Sequence, residues 1–159
     1  MRADILFTSL AVAGSASARV MRLAASSIHY DWDVTGWTAA CLQDGCTYDF
    51  QIAGEANYTS RPPRPAFKAR CAGEGEGAPY RLCQRLDGED NDALVVAKLL
   101  PSNNHTINGT HQATIQVSLK HTDLDIPTTW WNYTGHANSM YGASKQSFTM
   151  NPDEVFGVA

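Results

Sequence analysis

The chain of 159 residues is long enough to bury one hydrophobic core and too short for two ordinary domains. Its 43% hydrophobic and 18% charged residues describe a globular protein, and a formal net charge of −4 argues against a general nucleic-acid binder, which needs a basic surface. No stretch approaches the roughly 20 apolar residues of a membrane-spanning helix.

The first element is a targeting signal. Met1 and Arg2 make a short positive start, residues 5–13 are apolar, and Ala16-Ser17-Ala18 supplies the small-x-small pattern that signal peptidase accepts. Residues 1–18 are therefore expected to be a signal peptide, with the mature chain beginning near Arg19. Residues 19–28 show no alternation and read as a flexible lead-in. Residues 29–159 then form a single domain. Four cysteines (Cys41, Cys46, Cys71, Cys83) and four N-x-Ser/Thr sequons, at Asn57, Asn104, Asn108 and Asn132, agree with export to an oxidising, glycosylating compartment.

From residue 29 onward, short runs alternate apolar and polar with period two, the pattern of half-buried antiparallel strands. Tyr30, Trp32 and Val34 share one face. Cys46, Tyr48, Phe50 and Ile52 share another, as do Phe67, Ala69 and Cys71, and Ile115, Val117 and Leu119. The segments YRLCQRL, ALVVAKLL, TTWWNYT, SFTM and EVFGV add further candidates, and residues 93–100 alone carry a weak helical period. Clusters of Gly, Pro, Asn and Asp separate the runs. The expectation is an all-β fold: a compact, disulfide-stabilised antiparallel sandwich or barrel of about seven to nine strands.

The succession Trp32-x-Val34, Cys46-x-Tyr48-x-Phe50-x-Ile52-x-Gly54, Phe67-x-Ala69-x-Cys71 and Tyr80-x-x-Cys83 resembles small secreted fungal proteins of the Alternaria major-allergen type, over residues 29–119. That resemblance implies a disulfide-linked β domain without enzymatic activity, whose relatives include elicitors and effectors recognised by plants and bound to host defence proteins. The extra N-terminal cysteine that links the allergen into dimers has no counterpart here, so a covalent dimer is not expected.

The chemistry-bearing residues point the same way. Cys41-x4-Cys46 is neither a redox C-x-x-C nor half of a zinc site, because Cys71 and Cys83 are not closely paired and no histidine stands near. Four cysteines allow three pairings. Cys41–Cys46 with Cys71–Cys83 is preferred because each pair brackets a plausible turn, and loop entropy gives them about 2 and about 3 kcal/mol. The histidines are scattered, and cleavage before His29 for a copper brace would put Ile28 at the cut. No G-x-S-x-G elbow occurs in the mature chain. The carboxylate pairs Asp31/Asp33 and Asp123/Asp125 read as solvated strand faces. The acidic turn 86–92 could offer oxygen ligands to calcium, but lacks the EF-hand spacing. No metal, cofactor or catalytic set is therefore expected.

Two features suit partner binding. The segment RPPRPAFKAR carries Arg61, Arg64, Lys68 and Arg70 on a proline-extended loop that could steer an acidic partner. In TWWNYT, a glycan on Asn132 would require Trp131 and Tyr133 to face inward and Trp130 outward, where it could anchor a sugar or a protein. The reading is a secreted effector- or elicitor-like protein that binds a host extracellular protein or cell-wall component without catalysis. The alternatives are a carbohydrate-binding or cell-wall-associated module, requiring a second aromatic coplanar with Trp130, and a small secreted hydrolase, requiring convergent acid and base groups in a cleft.

Overall fold

In a computed structural model, the structure describes residues 18–24, 28–88, 92–101, 106–107 and 110–159, with the side chains of Thr106, Ile107, Thr110 and His111 left aside. Residues 1–17 of the expected signal peptide 1–18, Asn104, Asn108 and the centre of the acidic turn lie outside the described residues.

The strands are β1 (Val20–Leu23), β2 (Trp32–Leu42), β3 (Gly45–Gly54), β4 (Phe67–Glu74), β5 (Arg81–Leu82), β6 (Gln84–Arg85), β7 (Leu94–Leu99), β8 (Thr106–Ile107), β9 (Thr110–Thr122), β10 (Trp130–Met140), β11 (Gln146–Met150) and β12 (Pro152–Val158). Eight of the twelve are five residues or longer. They form two antiparallel sheets that do not close into a barrel. One runs β1-β12-β10-β9-β7-β5 with β8 attached to β9, the other β11-β2-β3-β4-β6. The all-β sandwich is thus what the alternating runs dictate. Among the described residues no helix is long and apolar enough to cross a membrane.

Each sheet turns one face inward, as period two requires. Trp32, Val34, Tyr48, Phe50, Ile52 and Phe67 meet Val95, Leu99, Ile115, Leu119, Trp131 and Tyr133 in one core. At one end the aromatic rings meet edge to face: Tyr30 on Trp32, Phe67 and Tyr133, and Trp32 on Phe67.

Three details refine this picture. The candidate segment 93–100 contains strand at Leu94–Leu99, against its weak helical period: Val95, Ala97 and Leu99 are buried on one side while Leu94 is exposed, which is period two. Within the supposed lead-in, Val20–Leu23 pairs with β12 from Val20↔Val158 to Leu23↔Val155. Its side chains are mostly exposed, so backbone bonds hold it and no alternation announces it. On β2, a bulge between Thr35 and Thr38 inserts one residue at Gly36, whose φ of 66° is the left-handed conformation that suits glycine. The insertion shifts the period and turns Trp37 into the core.

All four cysteines are paired within the chain, as Cys41–Cys46 and Cys71–Cys83. The first clamps the β2–β3 hairpin. The second joins β4 to Cys83, where the chain crosses from β5 in one sheet to β6 in the other. A cluster of Cys41, Cys46 and Glu76 has the spacing of metal ligands, but its sulfurs are bonded to each other and Glu76 accepts the Tyr141 hydroxyl at 2.6 Å.

Candidate binding site at the loop end of the sandwich

After β3 the chain makes a closed loop rather than an extended proline segment. Asn57 and Arg64 exchange backbone hydrogen bonds of 2.9 and 3.0 Å, and inside the loop Asn57 Oδ1 accepts from Thr59 N, Thr59 Oγ1 and Ser60 N. These local acceptor bonds are what Asn and Ser-Thr pairs favour in turns.

The closure separates the four cations that the sequence groups together. Arg64 is buried: Nε donates to Ser60 Oγ, Nη1 donates to the His29 carbonyl, and the guanidinium lies 5.0 Å from the centre of the Tyr30 ring. It joins loop to core and is no exposed steering charge. Lys68 and Arg70 belong to the solvent face of β4, where Arg70 pairs with Asp49 at 2.6 Å. The Lys68 backbone N–H donates to Asp87. Arg61 alone stands out on the loop, its side chain 75% exposed and 3.6 Å from Asp125.

That ion pair brings a second loop alongside, residues 123–129 between β9 and β10. Asp123 is not on a solvated strand face. It is buried, and its carboxylate accepts the N–H groups of Asp125 and Ile126 and the indole N–H of Trp131 at 2.6 Å. Burial alone would raise its pKa. The donors outweigh that and hold the carboxyl below its ordinary 3.8. The anchored loop leaves Leu124 and Ile126 exposed, as Tyr58 is on the first loop. Arg61, Tyr58, Leu124 and Ile126 therefore crown one end of the sandwich. Sequence reasoning missed the last three, although Ile126-Pro127 after an alternating run signals apolar residues carried into a turn.

Next to this crown is a pocket of about 220 Å³ walled by Leu23, Ile28, Pro62, Arg61, Arg64 and Tyr133, among others. Beyond Arg64 a wider cleft of about 400 Å³ contains Asp31, Asp33, Glu55 and His29. The aspartates of this i, i+2 pair are exposed. Of the acidic turn, Asp87 is held by Arg85 and the Lys68 N–H, and Asp92 by the Thr122 N–H and hydroxyl. Burial raises both, yet these donors leave both carboxyls below their ordinary range.

Trp130 lies on the outer face of the larger sheet, half-buried, with Trp131 and Tyr133 inward. The Lys120 ammonium sits 4.5 Å from its ring centre, and Phe156 meets it edge-on at 74°. The coplanar partner that a sugar platform needs is not Phe156. Asn132, beside it, is half-buried, and its Oδ1 accepts from Ser118 and Thr134. Of the two described sequons, Asn57 is the exposed one, on the loop end. Comparison with family models, with curated proteins and with solved structures gave no match.

Proposed function

We propose that this is a secreted fungal effector- or elicitor-like protein that binds a host extracellular protein through the loop end of its sandwich, without chemistry of its own. The observation that carries the reading is the crown itself. Two loops, each locked by internal hydrogen bonds and joined by Arg61 and Asp125, present Tyr58, Leu124 and Ile126 to solvent on a disulfide-stapled scaffold. An exposed aromatic, an arginine and two aliphatic side chains on a rigid support have the composition of a recognition core. An exposed ion pair such as Arg61–Asp125 is worth at most about 1 kcal/mol, so Arg61 can exchange it for a partner's carboxylate.

Export is supported by the leader-like N-terminus and the two disulfides. The resemblance to the Alternaria allergen family supports the choice of host partner. The test is capture of host extracellular protein on immobilised mature protein. A specific species retained by the wild type should be lost from a Tyr58→Ser, Arg61→Ala, Ile126→Ser variant that unfolds at the same urea concentration. Equal capture by the variant contradicts the reading.

A further inference from the structure

The outer face of the larger sheet carries apolar side chains that the fold leaves wholly or partly uncovered. Val20, Val158 and Trp130 follow one another in register across β1, β12 and β10; Val20 is exposed and the other two are half-buried. Phe156 stands beside them, also half-buried. A contiguous apolar patch on the outside of a sheet calls for a cover. In its middle is Asn132, the acceptor of an N-x-Thr sequon. Phe156 pairs with it on one side and Lys120 on the other, and Trp130 precedes it by two residues on the same face.

The side-chain amide of Asn132 is held in one orientation. Its Oδ1 accepts from the hydroxyls of Ser118 and Thr134, which pair with each other in register further along the strands. The nitrogen diverges from that oxygen and is turned away from both hydroxyls. Among the described residues the buried side-chain atoms without a partner are Trp32 Nε1, Trp37 Nε1, His121 Nε2 and the Tyr133 hydroxyl. Asn132 Nδ2 is not one of them and makes no hydrogen bond among those residues, so it opens to solvent. It is also the atom to which an N-linked glycan is joined. Transfer bonds Nδ2 to the anomeric carbon of a lipid-pyrophosphate-linked oligosaccharide. One N–H proton leaves, the anomeric C–O bond breaks, and the lipid pyrophosphate departs with that electron pair. The acceptor is then still an extended nascent chain, so the later half-burial of Asn132 is no obstacle.

We propose that Asn132 carries an N-linked glycan whose first N-acetylglucosamine lies on the chain's own surface, its C–H face against Phe156 and Trp130 and its oxygens beside the Lys120 ammonium. A free sugar would need the coplanar second ring that Trp130 lacks, since Phe156 meets it at 74°. A tethered sugar does not, because its attachment keeps it at high effective concentration over one weak contact. Lys120, already 4.5 Å from the Trp130 ring centre, adds a donor for sugar oxygens. The glycan supplies the cover that the patch lacks and closes the Trp130 face to protein partners. This inference rests on the export part of the functional reading and is independent of the crown.

The mature protein, secreted from a eukaryotic host behind a host leader, should yield a glycosylated Asn132 peptide on mapping by mass spectrometry. Trimming with an endoglycosidase that leaves one N-acetylglucosamine should keep the urea midpoint of the intact glycoprotein. Both midpoints should exceed that of unglycosylated protein from a bacterial periplasm. Trp130→Ala and Phe156→Leu should each lose most of that rise, while sugars on the other sequons cancel because each variant keeps them. Occupancy is read on the unmutated protein, so it tests the site even if a variant misfolds. Secreted protein unmodified at Asn132, no rise in midpoint, or the same rise in both variants would each overturn the proposal. The export reading fails separately, if the chain's own leader does not direct secretion, and capture of a partner by the crown is untouched by either result.

Discussion

Arg64 and His121 show how burial decides what a polar side chain does. Arg64 is fixed by Ser60, the His29 carbonyl and the Tyr30 ring, so its charge organises the loop instead of advertising it. His121 is buried against Tyr133, stacked at 5.7 Å. Its Nδ1 donates to the Thr122 carbonyl, and Nε2 has no partner among the described residues. Burial lowers its pKa below the ordinary 6.5, although the Thr122 carbonyl, Asp92 and Asp123 pull the other way. As pH falls through 6.5 the unfolded chain takes up this proton and the folded one does not, so stability declines with pH in that window. His121→Phe, which keeps the stacking, should flatten that part of the urea-unfolding profile. An unchanged slope between neutral pH and the folded-state pKa would contradict the assignment. Asp87, Asp92 and Asp123, with lowered pKa values, add a second loss below about 3.8, as acid removes carboxylates that the fold binds.

At the scale of elements, the legible parts were those whose period follows burial. β3 and β4 follow simple alternation, and β9 does so across its described core positions, because each has one wet and one dry face. β1 was illegible because its pairing with β12 is made by backbone atoms and leaves no buried stripe. Trp37 was missed because the Gly36 bulge breaks the count between Trp32 and Ala39. The loop 57–64 looked extended because its prolines say nothing of the Asn57–Arg64 closure or of Asn57 bonding to its own turn. Gly54, at the end of β3, allows close aromatic approach: a methyl there would come within 2.5 Å of the Phe67 ring and 3.0 Å of Trp32 and Tyr30. Gly54→Ala should therefore cost about 1–3 kcal/mol in urea unfolding, the usual penalty of overpacking. A loss below a few tenths would show that the aromatic cluster yields easily.

For the whole molecule, the two disulfides and the core make a scaffold whose ends differ. β2 is eleven residues long, so its Leu42 end lies on the order of 30 Å from its Trp32 end. At the Trp32 end lie the buried aromatic cluster, the Arg64 pocket and, above them, the crown of exposed side chains. At the other end the Cys41–Cys46 hairpin turns with Leu42 exposed. The candidate site was only partly readable because its members come from distant segments that meet through folding. Arg61 was visible in the sequence. Leu124 and Ile126 were not, since exposure is a property of packing. Cysteine spacing was more informative: the preferred pairing, Cys41–Cys46 with Cys71–Cys83, is the one in the structure, and the first pair is a hairpin clamp. On the proposed function, the loop end is the surface that binds the partner. Hydrogen-exchange footprinting of the protein with the species it captures tests this most directly. The account predicts slowed exchange in 57–64 and 123–129 with the Leu42–Gly45 turn unchanged. Protection confined to that turn, or to the Trp130 face of the larger sheet, would contradict it.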